Sequence, residues 1–526
     1  DILGDNGRLT YTNGALTEIA TSDPTVGATD DLEGGEGEDT IFGGVGVDQI
    51  SGGPDRNILI GDQGRIAFAE SGERIQVATT FNTIGANDAI TSGAGDDVII
   101  GGFGADVING GAGDDDILGD NGVLDYTGGA VTSIATADPV NGTGDILAGG
   151  EGADTIFGGV GVDAITGGAG QNILIGDQGA ITFETTGERI QVTTTFNDTG
   201  ANDTIYSGAG DDVIIGGFGA DVISGGAGND DILGDNGVLD YTSGAVTSIA
   251  TTDPSTGAAD VIDGADGNDT IIGGTGADAI TGGADTNIIL GDQGAIRFAV
   301  NGERIDVTTT HNTLGADDLI SSGMGDDIIL GGFGSDPIMA GGGDDIVLGD
   351  NGRLSYTEGQ LTSIATEDPD TGAAEMIDGE EGADLIFGGT GADSLTGGPG
   401  QNILIGDQGS ITFAVTGERI QVTTTFNDIG AGDTIHSGEG DDVIIGGFGV
   451  DEISGGAGND DILGDNGVLD YTDGKLTLIA TADPVTGAGD IIDGADGNDT
   501  IIGGTGADAI TGGADTNIIL GDQGAI

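Results

Sequence analysis

The feature that most constrains this chain is a nine-residue beat. Asp88, Asp97, Asp106 and Asp115 stand nine residues apart, and Asp30, Asp39, Asp48 and then Asn57 keep the same frame. Most of the loops between them read Gly-Gly-x-Gly-x-Asp, with a large aliphatic residue two places after the Asp. Longer repeats enclose the beat. The string Leu-Gly-Asp-Asn-Gly returns every 115 residues, at Leu3, Leu118, Leu233, Leu348 and Leu463. That divides the chain into units 1–115, 116–230, 231–345, 346–460 and a partial fifth, 461–526. Each unit splits again, because Gly119-Asp120-Asn121-Gly122 has a counterpart 57 residues on, at Gly176-Asp177-Gln178-Gly179. Repeats of this kind build quasi-one-dimensional folds, in which each module packs on its neighbours.

Between the nonapeptide blocks the text changes. Residues 180–196 alternate apolar and polar around Gly187, and 238–250 do so around Gly244; both read as β-hairpins. Glycine recurs too often for a long helix, since each costs about 1 kcal/mol relative to Ala inside one. Two nonapeptides make one coil, loop–strand–loop–strand, and coils stack at about 4.8 Å. The expected fold is all-β, a parallel β-roll or β-solenoid with β-hairpin insertions about every 57 residues. Each half-unit should hold roughly two to three coils.

Charge narrows the chemistry. Asp and Glu total 91 against 10 Lys and Arg, a formal net charge of −81. Repulsion on that scale opposes a compact state unless something neutralises it. Acidic, aromatic-poor chains are usually disordered. Here the hydrophobic residues, 36% of the chain, keep fixed register with the acids, so the expected behaviour is folding once cations arrive. The scarcity of basic residues argues against a nucleic-acid partner. No apolar run approaches the roughly 18 residues of a membrane span. The chain starts at Asp1 without a Met and stops within a repeat, which reads as a segment of a longer protein.

The loops have the composition of a metal site. Glycines permit positive φ and close approach of backbones, which turns carbonyl oxygens towards one point. The Asp adds a carboxylate. These are hard oxygen donors, the set that calcium takes six to eight at a time. One dication between successive loops offsets roughly two carboxylates and answers the charge problem.

This pattern resembles the repeats-in-toxin (RTX) family of calcium-binding nonapeptide repeats. The likeness covers the nonapeptide blocks, roughly 60% of the chain, and not the hairpins. Its strength lies in number: thirty-six in-frame positions, thirty of them Asp. The resemblance implies multiple calcium ions held by Asp side chains and loop carbonyls, and folding on secretion. By position the metal role falls in the first unit on Asp39, Asp48, Asp88, Asp97, Asp106 and Asp115. In the second it falls on Asp154, Asp163, Asp203, Asp212, Asp221 and Asp230. The third supplies Asp269, Asp278, Asp318, Asp327, Asp336 and Asp345, and the fourth Asp384, Asp393, Asp433, Asp442, Asp451 and Asp460. Asp499 and Asp508 complete the set.

Departures from the pattern qualify it. Asn replaces Asp at 57, 172, 287, 402 and 517, which brings no charge and makes a weaker or empty site. Asp30, Asp145, Asp260, Asp490 and Glu375 follow loops without paired glycines and are doubtful ligands. Asp62, Asp120 and their copies sit in Gly-Asp-Gln/Asn-Gly turns and either ligate a terminal ion or shape the turn, the second being favoured. A merely solvated acidic loop would not require the nine-residue period. With His311 and His436 isolated and no Cys, a typical zinc site and a Cys–His nucleophile are set aside. Paired acids such as Asp96-Asp97 recur in loop after loop without a distinctive pocket, so ligation explains them better than glycosidase chemistry. The expected protein is therefore no enzyme. Glu-Arg pairs at hairpin turns, such as Glu188-Arg189, read as exposed ion pairs or as contacts to a neighbouring acidic surface. The leading functional expectation is a calcium-dependent stalk, filament or surface-layer element of a large secreted bacterial protein, outside the cell or on its surface. The hairpins would be the means of any self-association. The alternatives are a calcium-triggered secretion and folding module of a toxin, protease or lipase, and a ligand-binding region of an adhesin.

Overall fold

The computed structural model of the chain describes all residues except 484. Among the described residues all regular structure is β-strand. The chain forms two compact units, Asp1–Asp266 and Gly267–Ile526, each built on the same plan.

In the first unit the residues after each sixth-position Asp or Asn form short strands that alternate between two parallel sheets. One is aliphatic: Thr40–Phe42, Ile58–Ile60, Val98–Ile100 and Asp116–Leu118 pair with Ile41, Leu59, Ile99 and Ile117 in register. The other runs into the glycines: in Gln49–Gly53, Ala89–Ala94, Val107–Ala112 and Ile146–Glu151, the residues Ile50, Ile90, Ile108 and Leu147 are aligned. The second unit repeats both ladders, with Ile271, Ile289, Ile329 and Val347 in the first. Ile280, Ile320, Ile338 and Ile377 form its second. Successive loops on one edge are 18 residues apart where no hairpin intervenes, so a coil is two nonapeptides and each half-unit holds two coils, the lower end of the expected range.

The two sheets differ in burial. The glycine-edged strands alternate, with Ile108 buried between the exposed Val107 and Asn109, and Ile90 between the half-buried Ala89 and the exposed Thr91. The aliphatic strands are buried on both faces; Ile58, Leu59 and Ile60 are at most 4% exposed. Runs such as Ile-Leu-Ile suit a parallel sheet covered on both sides. The second cover is the hairpins. Gly64–Phe68 pairs with Arg74–Thr79, and Gly122–Thr127 with Ala130–Thr136. Their inward residues Ile66, Val77, Leu124 and Ile134 are buried, and Phe42 and Ile60 reach up to Gly64 at the hairpin's start.

The hairpins are not separate insertions. Each pairs with the next: Gln76 opposite Asp125, Ser133 opposite Thr182, and Gln191 opposite Asp240. The reason is dimensional. Two coils advance the roll by about 9.6 Å, and a two-stranded hairpin is equally wide. Hairpins spaced two coils apart therefore tile into a continuous antiparallel third layer. Between neighbouring hairpins of a unit this pairing takes up the strand edges.

The Glu-Arg expectation needs correction. Arg189 stacks over the ring of Tyr241 on the following hairpin, 5.1 Å from its centroid, and Arg74, Arg304 and Arg419 do the same over Tyr126, Tyr356 and Tyr471. Ion pairs lie elsewhere on the hairpin layer, where Arg8 and Arg65 meet Glu18, and Arg297 and Arg353 meet Asp306. A guanidinium stacks on an aromatic face and covers it with its stem, which a turn-adjacent glutamate cannot offer. His311 and His436 are exposed, as expected.

Candidate metal sites on two loop edges

The coil divides the sixth-position acids between two edges. Loops leading from the glycine-edged sheet to the aliphatic sheet form a plain edge. It carries Asp39, Asp97, Asp115, Asp154, Asp212 and Asp230, and from the third unit on Asp269, Asp327, Asp345, Asp384, Asp442, Asp460 and Asp499. The return loops form a hairpin edge. It carries Asp48, Asp88, Asp106, Asp163, Asp203 and Asp221, then Asp278, Asp318, Asp336, Asp393, Asp433, Asp451 and Asp508. All are buried except Asp39 and Asp508, which are half-buried near the chain ends.

Inside the stack each of these carboxylates does two things. Its Oδ1 accepts the backbone N–H of the corresponding residue one coil earlier. Asp88 donates to Asp106 at 2.7 Å, Asp106 to Asp145 at 2.7 Å, and Asp145 to Asp163 at 2.6 Å. On the plain edge Asp97 donates to Asp115 at 2.8 Å and Asp115 to Asp154 at 2.9 Å. Its Oδ2 is buried and has no hydrogen-bond partner at Asp88, Asp106, Asp115, Asp154, Asp163 and Asp203, among others. An unpartnered buried carboxylate oxygen is costly, and its repetition coil after coil marks a place built for a cation.

The glycines show what that place contains. At Gly34 a Cβ would lie 2.7 Å from Asp39 Oδ2 and against the carbonyl oxygen of Gly52, one coil on. At Gly176 it would lie 2.5 Å from Asp203 Oδ2 and 2.5 Å from the Gly216 carbonyl oxygen. The first glycine of the loop is thus required by an oxygen cluster: a carboxylate of its own loop and a carbonyl of the next. The second and fourth glycines, such as Gly102 and Gly104, have φ of 114° and 141°, open to glycine alone at little cost. Among the described residues no group of three or more Asp, Glu, His or Cys side chains gathers as a metal site. The cradle is a carboxylate with backbone oxygens, and that donor set fits calcium.

The electrostatics agree. Burial, then the charges of Asp106 and Asp48, pushes Asp88 up to about 8. Burial, then Asp120, Asp106 and Asp163, pushes Asp145 up to about 11. Burial with Asp163 and Asp177 takes Asp203 to about 10. A dication beside these groups reverses the penalty.

One sequence expectation changes. Asp30, Asp145, Asp260 and Asp490 stand in the hairpin-edge ladder with the rest. Asp221 donates to Asp260 at 2.7 Å, and the cradle at Gly464 brings Asp490 Oδ2 and the Gly503 carbonyl oxygen each to 2.5 Å. The turn glycine in front of the hairpin serves as the loop's first glycine. At Gly61 the distances are 2.5 Å to Asp88 Oδ2 and 2.6 Å to the Gly101 carbonyl oxygen. A whole hairpin between that glycine and the Asp therefore leaves the cradle intact. Glu375, one methylene longer, has both oxygens buried without partners. The turn acids shape the fold, as favoured. Asp62 accepts the N–H of Phe103 at 2.5 Å and of Ala86 at 3.2 Å, and Asp177 accepts those of Phe218 at 2.5 Å and Ala201 at 3.1 Å. Both oxygens of each are used to staple adjacent loops.

The family model for the RTX calcium-binding nonapeptide repeat matches residues 26–65, 85–123, 141–179, 197–232, 256–295, 313–338, 321–353, 378–410, 430–467 and 487–525. The unmatched stretches between them fall on the hairpins. No curated protein matches the chain. Among solved structures, a hyperactive, Ca2+-dependent, β-helical antifreeze protein from an Antarctic bacterium is similar at 14% identity and a TM-score of 0.27, covering 85% of this chain and 84% of that one. The family match takes in well over half of the residues and lands on the loops that hold the oxygen cradles: the chain belongs to the RTX calcium-binding nonapeptide repeat family.

Proposed function

We propose that this calcium-binding repeat chain is a load-carrying or spacing segment of a large secreted bacterial protein, a stalk, filament or surface-layer element, with no catalytic step of its own. The observation that carries this reading is that every half-unit is spent on the same two structures, a pair of coils with cation cradles and a hairpin that tiles onto the next. A near-identical unit added to such a stack meets the same neighbours as the one before it. Export fits the same chemistry. Millimolar calcium outside a cell fills weak oxygen sites, whereas a calcium-poor cytosol leaves a chain of net charge −81 expanded and threadable. Self-association, where it occurs, uses the outward hairpin face.

Small-angle X-ray scattering of the chain tests the reading. In millimolar calcium the profile should be that of a fixed, folded particle, and in excess chelator that of an expanded coil. A profile that does not respond to chelation removes the calcium-set spacer. A folded particle that hydrolyses a glycan, lipid or peptide panel removes the non-catalytic part.

A further inference from the structure

The two edges are not equivalent, and the difference lies in two small substitutions. On the hairpin edge the first loop residue is glycine throughout, as at Gly43, Gly61, Gly101 and Gly119. On the plain edge, one loop in four ends in Asn, and the loop stacked on it opens with Ser.

At the Asn loops the side-chain amide fills the cradle. Its orientation is set by the backbone: Asn172 Oδ1 accepts the N–H of Asp154 at 3.0 Å, and Asn402 Oδ1 that of Asp384 at 2.9 Å. Nδ2 must then point where an Asp places Oδ2. There it donates to carbonyl oxygens, from Asn172 to Gly170 at 3.3 Å and Ser207 at 3.4 Å, and from Asn402 to Gly398 and Ser437 at 3.2 Å each. The Ser207 and Ser437 carbonyls hold the place that Gly52 and Gly149 hold in the Asp loops.

The next coil is closed by a different group. Ser92, Ser207, Ser322 and Ser437 are fully buried. Their side chains start where the open loops have only a glycine hydrogen, the Asp345 loop, which begins with Ala340, excepted. Each hydroxyl donates to the carbonyl oxygen of the following loop's first residue: Gly110, Gly225, Ala340 and Gly455. In both loops a polar hydrogen satisfies the carbonyl that elsewhere faces a carboxylate and needs an ion; in the Ser loops the side chain itself occupies the cradle, while Oδ2 of Asp97, Asp212, Asp327 and Asp442 keeps no hydrogen-bond partner.

We propose that the Asn and Ser loops take no calcium: an amide and a hydroxyl stand in the place of the ion, so that on the plain edge two closed layers alternate with two open ones (in the third unit Ala340 narrows the Asp345 cradle as well), while the hairpin edge is open throughout. This rests on the calcium reading of the open loops and specifies which cradles are used. It also revises the metal role expected for Asp97, Asp212, Asp327 and Asp442, whose loops the serines open. The closed layers are pairs of plain-edge loops held without metal, placed once in every full unit.

The test uses the whole chain crystallised in calcium, with anomalous scattering to mark the ions. Peaks are expected beside Asp115 and Asp154 and along the hairpin edge, with none in the loops of Asn172 and Asp212. Peaks of equal height in those two loops would overturn the proposal and leave calcium binding intact. Absence of peaks at Asp115, Asp154 and the hairpin edge would instead overturn the calcium reading beneath it. The Asn172→Asp, Ser207→Gly double variant should gain a peak in each loop; a folded variant that gains neither also counts against the proposal.

Discussion

At the residue scale the first glycine of each loop matters more than its neighbours. A Cβ at Gly101 would lie within 3.0 Å of both the Gly119 carbonyl oxygen and Asp106 Oδ2, whereas one at Gly187, at a hairpin turn, meets nothing within 4 Å. Gly101→Ala should therefore lose the ion at Asp106 and cost on the order of 1–3 kcal/mol in saturating calcium, as overpacking does. Gly187→Ala has only its φ of 89° against it, should cost about 1–2 kcal/mol and should lose no ion. Calcium counts on the two folded variants compare them, and full occupancy in Gly101→Ala would refute the cradle. The acids give a second expectation. Asp88 and Asp203, raised by burial and neighbouring charge to about 8 and about 10, sit above the unfolded value near 3.9. A raised folded pKa stabilises the fold fully below the unfolded value and loses that contribution as pH rises through the folded one. In chelator, the β signal in circular dichroism should thus be strongest near pH 4 and fade towards pH 8–10; in calcium it should persist at pH 8. A metal-free chain as ordered at pH 8 as at pH 4 would contradict this. The sequence spacing made these acids legible as ligands. It left Asp145 doubtful, because the glycine that completes its cradle, Gly119, lies a whole hairpin away in the chain.

At the element scale the hairpins were readable one by one and not as a layer. Alternation around Gly187 and Gly244 reveals two strands and a turn. Whether neighbouring hairpins touch depends on the match between coil rise and hairpin width, which requires knowing that each half-unit holds two coils. For the same reason the Arg189–Tyr241 stack was hidden: its partners are 52 positions apart and meet only once the hairpins tile. The stack predicts a graded response. Tyr241 is part-buried with its ring under the guanidinium. Tyr241→Phe keeps the ring and should cost under about 1 kcal/mol, while Tyr241→Ala loses ring, burial and cation contact and should cost about 2–4 kcal/mol. Arg189→Ala, at a half-exposed site, should cost about 0.5–1 kcal/mol. Denaturant melts in calcium would show the order; a Tyr241→Phe loss equal to Tyr241→Ala would mean the hydroxyl and not the stack matters.

At the scale of the whole molecule, the charge of −81 and the stacked coils act on the same equilibrium. An oxygen cradle joins a carboxylate of one coil to a carbonyl of the next, so an ion bound there also fixes the contact on which a solenoid propagates. Filling one cradle therefore orders half of the cradle beyond it. Binding energy becomes folding energy, and the calcium titration should be steeper than independent sites allow, with a Hill slope above 1 by circular dichroism. Screening alone is a different matter. Salt at about 1 M shortens the Debye length to about 3 Å and weakens repulsion between exposed acids. It leaves the buried Oδ2 atoms of residues such as Asp106 and Asp163 without a partner. Magnesium is small, demands octahedral geometry at about 2.0–2.1 Å and keeps its waters, so it suits a cradle of backbone carbonyls poorly. The chain in chelator should remain largely unfolded in 1 M sodium chloride, recover only in part with millimolar magnesium, and fold fully with millimolar calcium. Equal recovery in all three would show that charge neutralisation alone drives the fold and that the cradles do not select their ion.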